Sequence, residues 1–119
     1  MTGDELREAA QDFRRMMPRF TADNAVKNAE LLDRVGEIAQ AHSATPAQIA
    51  LAWLHSCAAT HGLPVIPIPG TWRRTRVEEN TAAAGLKLSD TELAQLGRLA
   101  NLVAGDRYGD MSFSSAGRE

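Results

Sequence analysis

The sequence predicts an α/β chain that is mostly helical and built around one strand. Three observations carry that expectation. Val65-Ile66-Pro67-Ile68-Pro69 is apolar on both faces, as in a strand of a sheet covered on both sides. The segments around it place apolar residues at helical spacing, and three of their starts have capping-box spacing. No second comparable strand occurs within the 119 residues, so the layer is incomplete as it stands.

Residues 1–27 have little periodicity and read as a long surface connection, of the kind that often forms lids or binding loops. Asp4 to Arg15 suits a short polar helix, which Pro18 interrupts by disfavouring helix at the residue before it. Residues 28–43 predict a helix with Leu31, Leu32, Val35, Ile38, Ala39 and His42 on one face. Glu30, Asp33, Arg34, Glu37 and Gln40 take the other.

Thr45-Pro46-Ala47-Gln48 opens the next helix. Thr45 and Gln48 have capping-box spacing, and Pro46 sits at the first helical position, where no N–H is needed. Ile49, Ala52, Trp53, Leu54, Cys57 and Ala58 form its apolar surface, and Gly62 suits a left-handed stop. After the strand, Thr75 to Ala84 reads as a helix ended by Gly85, with Thr75 and Glu78 as a capping box. Ser89 and Glu92 form another box, with Leu88 and Leu93 at hydrophobic-staple spacing. Leu93, Leu96, Leu99 and Ala100 then face inward, and the pattern fades after Val103.

Composition narrows the function classes. A formal charge of −2 argues against general nucleic-acid binding. No apolar run approaches the roughly 20 residues that span a bilayer. Met1 to Leu6 lacks the basic and apolar regions of a signal peptide. Cys57 is the single cysteine and reads as a small buried hydrophobe, which excludes a disulfide framework within the chain and suits a reducing, cytoplasmic setting.

One stretch carries chemistry. A strand, then Gly70-Thr71, then a helix start bearing Arg73, Arg74 and Arg76 is the layout of an anion site. N–H groups at a helix start carry partial positive charge, and guanidinium groups match phosphate geometry. Arg76, Glu79 and Asn80 lie at i, i+3 and i+4 and share one face. The plainer reading of Arg76 and Glu79 is an exposed helical ion pair. Trp72 to Arg76 also suits a small RNA- or phosphoprotein-binding patch. Trp53 reads as core, and His42, His55 and His61 as surface or structural residues.

These residues resemble a known family. Thr45-Pro46-Ala47-Gln48-Ile49-Ala50-Leu51-Ala52-Trp53-Leu54, then Val65 to Thr71, then Arg76 and Glu79-Asn80 are similar to the C-terminal third of an aldo-keto reductase. Asp12-Phe13-Arg14, Pro18-Arg19-Phe20 and Gly105-Asp106-Arg107-Tyr108 resemble the loop and tail of the bacterial and plant subgroup acting on aldehydes. The resemblance implies part of a TIM barrel that binds NADP(H) across its C-terminal face. It assigns 1–27 to the loop after strand seven, 28–62 to helices, 63–71 to strand eight and the cofactor turn, 72–103 to helices including an accessory one, and 104–119 to the tail. That agrees with the tendency of such barrels to bind phosphate near the loops after strands 7 and 8.

The resemblance places Pro69, Gly70 and Thr71 at the adenosine-phosphate pocket. Arg76 would meet the 2′-phosphate and cover the adenine, with Glu79 and Asn80 beside the ring. The family often has Lys or Arg after the Ser/Thr, where this chain has Trp72, so Arg73 or Arg74 would supply that charge. The family's catalytic Asp, Tyr, Lys and His belong to upstream strands, and no residue here matches them. The expectation is an NADP(H)-dependent oxidoreductase site, inactive in this chain alone, with an aldehyde or ketone bound in the intact barrel. The alternative is a non-enzymatic helical interaction module whose partner covers the strand, such as the missing barrel portion.

Overall fold

A computed structural model describes residues 12–112, of which four α-helices form the framework. They are α1 (Ala22–Ala41), α2 (Pro46–His61), α3 (Arg74–Ala82) and α4 (Asp90–Ala100). Single 3-10 turns cover Phe13–Met16, Pro18–Phe20 and Ala83–Gly85. The described residues form two compact units: 12–30 with 103–112, and Leu31–Leu102.

The second unit holds the hydrophobic core. Ile38 and Ala39 of α1, Ile49 of α2 and Leu96 of α4 are buried together. Val35, Ala44, Trp53, Leu86, Leu88 and Leu99 pack around them. Trp53 is therefore a core residue, as its position in the apolar stripe predicts. Leu32 is 64% exposed, and Leu54 and Ala100 are exposed too, so the inward faces are narrower than the sequence suggests. The stripe on α1 runs through Leu31, Val35, Ile38 and Ala39, and His42 continues it in the turn that follows.

Helix starts follow their caps. At α2 the Thr45 side chain accepts from the Gln48 N–H while Gln48 returns to Thr45, completing the box, with Pro46 at the first helical position. Gly62 ends α2 at φ 63°, a conformation that costs a side chain steric strain. At α4 Ser89 and Glu92 form the second box. Glu92 also binds the Nε2 of His42 at 2.8 Å, tying the turn after α1 to the start of α4. These contacts hold the Glu92 carboxyl below its ordinary range, the Ser89 backbone first and His42 second.

Three expectations are corrected. The Thr75–Glu78 box does not form. The chain enters α3 at Arg74 behind Arg73, so Thr75 is already inside the helix, and Glu78 pairs with Arg74 at 2.9 Å. The strand also does not form among the described residues: 64–73 have no regular secondary structure. Val65 and Pro67 are half-buried, while Ile66 and Ile68 are exposed. That alternation is the period of an extended segment. A ladder needs a paired neighbour, and Pro64, Pro67 and Pro69 offer no N–H to one. The glycine turn expected at Gly70 is absent as well: no turn or bend occurs there, and its backbone is not left-handed.

In the first unit, α1 starts at Ala22, within the stretch the sequence assigned to a loop. Its first turns are almost wholly exposed, so no apolar stripe betrays them. Of the short polar helix, Asp4 to Gln11 lie outside the described residues, and the rest is a 3-10 turn that stops before Pro18. Asp12 accepts from the Arg14 side chain at 2.9 and 2.8 Å and from its backbone at 3.0 Å, which lowers its carboxyl to about 2. Asn28 closes the unit. Its Nδ2 donates to the carbonyls of Arg19 at 3.2 Å and Ala104 at 3.0 Å, and its Oδ1 accepts the Ala104 N–H at 2.8 Å. Gly105 has φ 84°, and a Cβ there would lie 2.8 Å from the Pro18 backbone, so this position demands glycine. The two motifs containing Arg19 and Gly105 thus meet, with the Arg19 Nε donating to the Gly105 carbonyl at 3.1 Å.

Candidate functional site

The candidate site lies wholly in the second unit, where the extended segment leads into α3. Thr71 shapes the entry. Its Oγ1 accepts the Arg73 N–H at 3.2 Å, leaving its own proton to donate elsewhere. Arg73 is the N-cap and provides no side-chain cap. The first-turn N–H groups of α3 are therefore not covered by a capping side chain, unlike those of α2 and α4. The Arg76 N–H goes to the Arg73 carbonyl at 3.0 Å, which leaves those of Arg74 and Thr75 as the open donors. Such donors, aided by the aligned peptide dipoles, favour an anion.

The arginines are arranged differently. The Arg73 guanidinium lies over the indole of Trp72, 5.0 Å from the ring centroid. A ring-face contact leaves the guanidinium edge for hydrogen bonds. Arg74 pairs with Glu78, one turn on. Arg76 donates from Nη1 to Glu79 Oε2 at 2.6 Å. The Glu79 side chain is only 15% exposed, because its other oxygen accepts the Thr45 hydroxyl at 2.6 Å. The Thr45 bond first, and Arg76 second, lower the Glu79 carboxyl from its ordinary value.

An open cleft of about 280 Å³ lies on the neighbouring side of α3. Pro69, Thr71 and Asn80 line it, together with Leu51, His55 and Val77. The structure thus brings Pro69, Thr71 and Asn80 to one cavity. Gly70 and Arg73 sit outside its lining, at the exposed helix entry. Arg76 and Glu79 form a separate pair facing the start of α2. The face that the i, i+3, i+4 spacing suggests for 76, 79 and 80 is therefore split into two adjoining stripes. Positions 77, 80, 81 and 84 face the cleft, and 76 and 79 face α2.

Sequence reasoning missed Leu51 and His55 as cleft residues, since helical spacing alone could not tell which face of α2 meets the extended segment. Among the described residues there is no cluster of three or more His, Cys, Asp or Glu able to hold a metal ion. No helix among them is long and apolar enough to cross a membrane.

The entry to α3 thus gathers a threonine hydroxyl and Arg73 beside a mixed cleft, with Arg74 and Arg76 each paired to a glutamate of the same helix. Comparison with known proteins places the chain. The sequence model described as "Aldo/keto reductase family" matches residues 2–101, and the chain belongs to that family. Aldo-keto reductase str7 of Strobilurus tenacellus is 39% identical over 102 residues, covering 84% of this chain and 29% of that protein. Aldo-keto reductase yakc of Schizosaccharomyces pombe, whose name specifies NADP(+), is 42% identical over 85 residues, 71% of this chain and 24% of that one. Probable aldo-keto reductase 1 of Glycine max is 40% identical over 93 residues, 76% of this chain and 26% of its own length. The chain thus spans 24–29% of the length of these relatives. No solved structure matches it.

Proposed function

We propose that this chain supplies the adenosine-phosphate end of an NADP(H) site in an aldo-keto reductase barrel. The observation that carries the reading is the uncapped start of α3, flanked by Thr71, Arg73 and Arg76. The donor set fits a phosphate monoester: backbone N–H groups, one hydroxyl and guanidinium edges. Pro69, Gly70 and Thr71 would approach the adenosine phosphate. Arg73 would take the place of the family's basic residue at Trp72. Arg76 would meet the 2′-phosphate, and Asn80 would present its amide to the adenine edge from the cleft. NADP(H), when bound, supplies the hydride exchanged with an aldehyde or ketone.

The acid Tyr and its Asp, Lys and His companions would come from the upstream barrel strands, so the 119 residues alone are expected to lack turnover. Residues 63–71 would be the eighth strand once neighbours pair with it, and α4 an accessory helix. The rest of such a barrel would be its partner, and a cytoplasmic setting would suit the free thiol at Cys57.

The test is calorimetric titration of the chain with 2′,5′-ADP and with 5′-AMP. Tighter binding of 2′,5′-ADP supports the reading, and equal or no binding defeats it. Any NADPH-dependent reduction by the pure chain would defeat the expectation of inactivity.

One observation favours the second reading, a non-enzymatic interaction module. Ile66, Ile68 and Trp72 are 83%, 92% and 87% exposed along one segment, a surface that calls for cover. Cooperative unfolding of the isolated chain without nucleotide affinity would decide for it.

A further inference from the structure

We propose that Thr45, the cap of α2, is a positioning residue for the 2′-phosphate site: its hydroxyl holds Glu79, and Glu79 holds Arg76. The inference rests on the nucleotide reading above and extends it to residues that reading does not use.

The geometry is a relay of three side chains. Thr45 Oγ1 donates to Glu79 Oε1 at 2.6 Å and accepts the Gln48 N–H at 3.3 Å. The second carboxylate oxygen of Glu79 accepts from Arg76 Nη1 at 2.6 Å. Gln48 adds a strut, its Nε2 donating to the Glu79 backbone carbonyl at 2.9 Å while its Oε1 accepts the Thr45 N–H at 3.0 Å. Two helices are thereby clipped together at the one carboxylate beside the arginine.

Three consequences follow. Both oxygens of Glu79 are engaged within the protein, so its first role is to hold Arg76, and Asn80 faces the cleft from the adjoining stripe. A carboxylate next to a phosphate would repel it, but here the negative charge is matched by Arg76 and turned towards α2. Arg76 is also held through one nitrogen only, so its remaining N–H groups are presented with less rotamer freedom left to lose on binding. The relay requires a side chain that donates and accepts at once, which a hydroxyl does and a carboxylate or valine does not.

The experiment compares Thr45→Val, Thr45→Ser and Ser89→Ala in the full chain, reading the ratio of affinities for 2′,5′-ADP and 5′-AMP. Ser89→Ala removes an equivalent cap from α4 without touching the relay. Thr45→Val should cut the preference for 2′,5′-ADP by roughly fivefold, and Thr45→Ser should keep it within about twofold. Ser89→Ala should leave it unchanged. If Thr45→Val and Ser89→Ala act alike, or if both ligands weaken equally, Thr45 is only a cap and the proposal fails.

A second measurement separates this from the nucleotide reading. Rotation of the Arg76 guanidinium about its Nε–Cζ bond, followed by NMR without ligand, should be slower in the parent chain than in Thr45→Val. Equal rates overturn the relay whatever the nucleotides do. Slower rotation in the parent, with no preference for 2′,5′-ADP, would instead uphold the relay and defeat its assignment to phosphate binding.

Discussion

The starts of α2 and α3 are built from the same backbone and serve opposite ends. At α2, Thr45 and Gln48 cap each other and Pro46 removes one donor, so little remains for an outside partner. Ile49, one turn in, is fully buried. At α3, Arg73 caps nothing, the flanking residues are exposed, and Val77 is half exposed. A helix start satisfied by its own side chains can anchor a core. One left open is a weaker element and a better place for an anion. The difference lies in two or three polar side chains, and substitutions there test it.

The largest contrast should come from apolar truncation behind each start. Ile49→Ala should cost about 3 kcal/mol of unfolding free energy, because the site is fully buried. Val77→Ala should cost under about 0.5 kcal/mol, as expected at a half-exposed position. Denaturant titration reads both, and similar values would erase the distinction. Next, Arg76→Ala should weaken 2′,5′-ADP binding by about 2 kcal/mol, close to thirtyfold, through loss of charged hydrogen bonds. Binding of 5′-AMP should hardly change in the same calorimetric series.

Gln48→Ala should destabilise the fold by about 1 kcal/mol, since it opens the α2 box and removes the strut to Glu79. Arg73→Ser sharpens the comparison from the other side. A serine there would cap α3 and should raise stability by about 0.5 kcal/mol or more. It should also weaken phosphate binding, because the helix N–H groups gain an internal partner. A thermal melt paired with a 2′,5′-ADP titration shows whether the two effects move in opposite directions.

Acid should act on the closed starts and spare the open one. Glu92 closes α4, and Glu79 bonds Thr45 at α2, and both carboxyls are held below their ordinary value of 4.5. A lowered folded value means that the folded state binds its proton less readily than the unfolded chain does. Their contributions are therefore fully present above about pH 4.5 and are lost as pH falls through the depressed values. Chemical-shift titration of Thr45 and Ser89 should follow that loss, while Thr71 and Arg73, which use no carboxylate, should not move with it.

How much was legible in the sequence follows the range of each interaction. The two boxes and the stop at Gly62 depend on partners within a few residues, and spacing alone reveals them. The box at Thr75 and Glu78 had the same spacing and did not form, because Thr71 takes the Arg73 N–H and sets the helix entry earlier. The clasp of Asn28 on Ala104, and that of Glu79 on Thr45, join residues far apart in the chain, and no local pattern encodes them.

Local chemistry in the sequence determined which segments coil into helices, where two of those helices begin, and that a threonine and three arginines cluster after Pro69. Tertiary structure decided which side of α3 each of them serves. Asn80 faces the cleft, and Glu79 turns to α2, although the two are adjacent in sequence. The physical reason is that a helix advances about 100° per residue, so neighbours face different surroundings, and only packing settles what those surroundings are. The same holds for Val65 to Pro69, whose extended form is local but whose pairing as a strand depends on a neighbour.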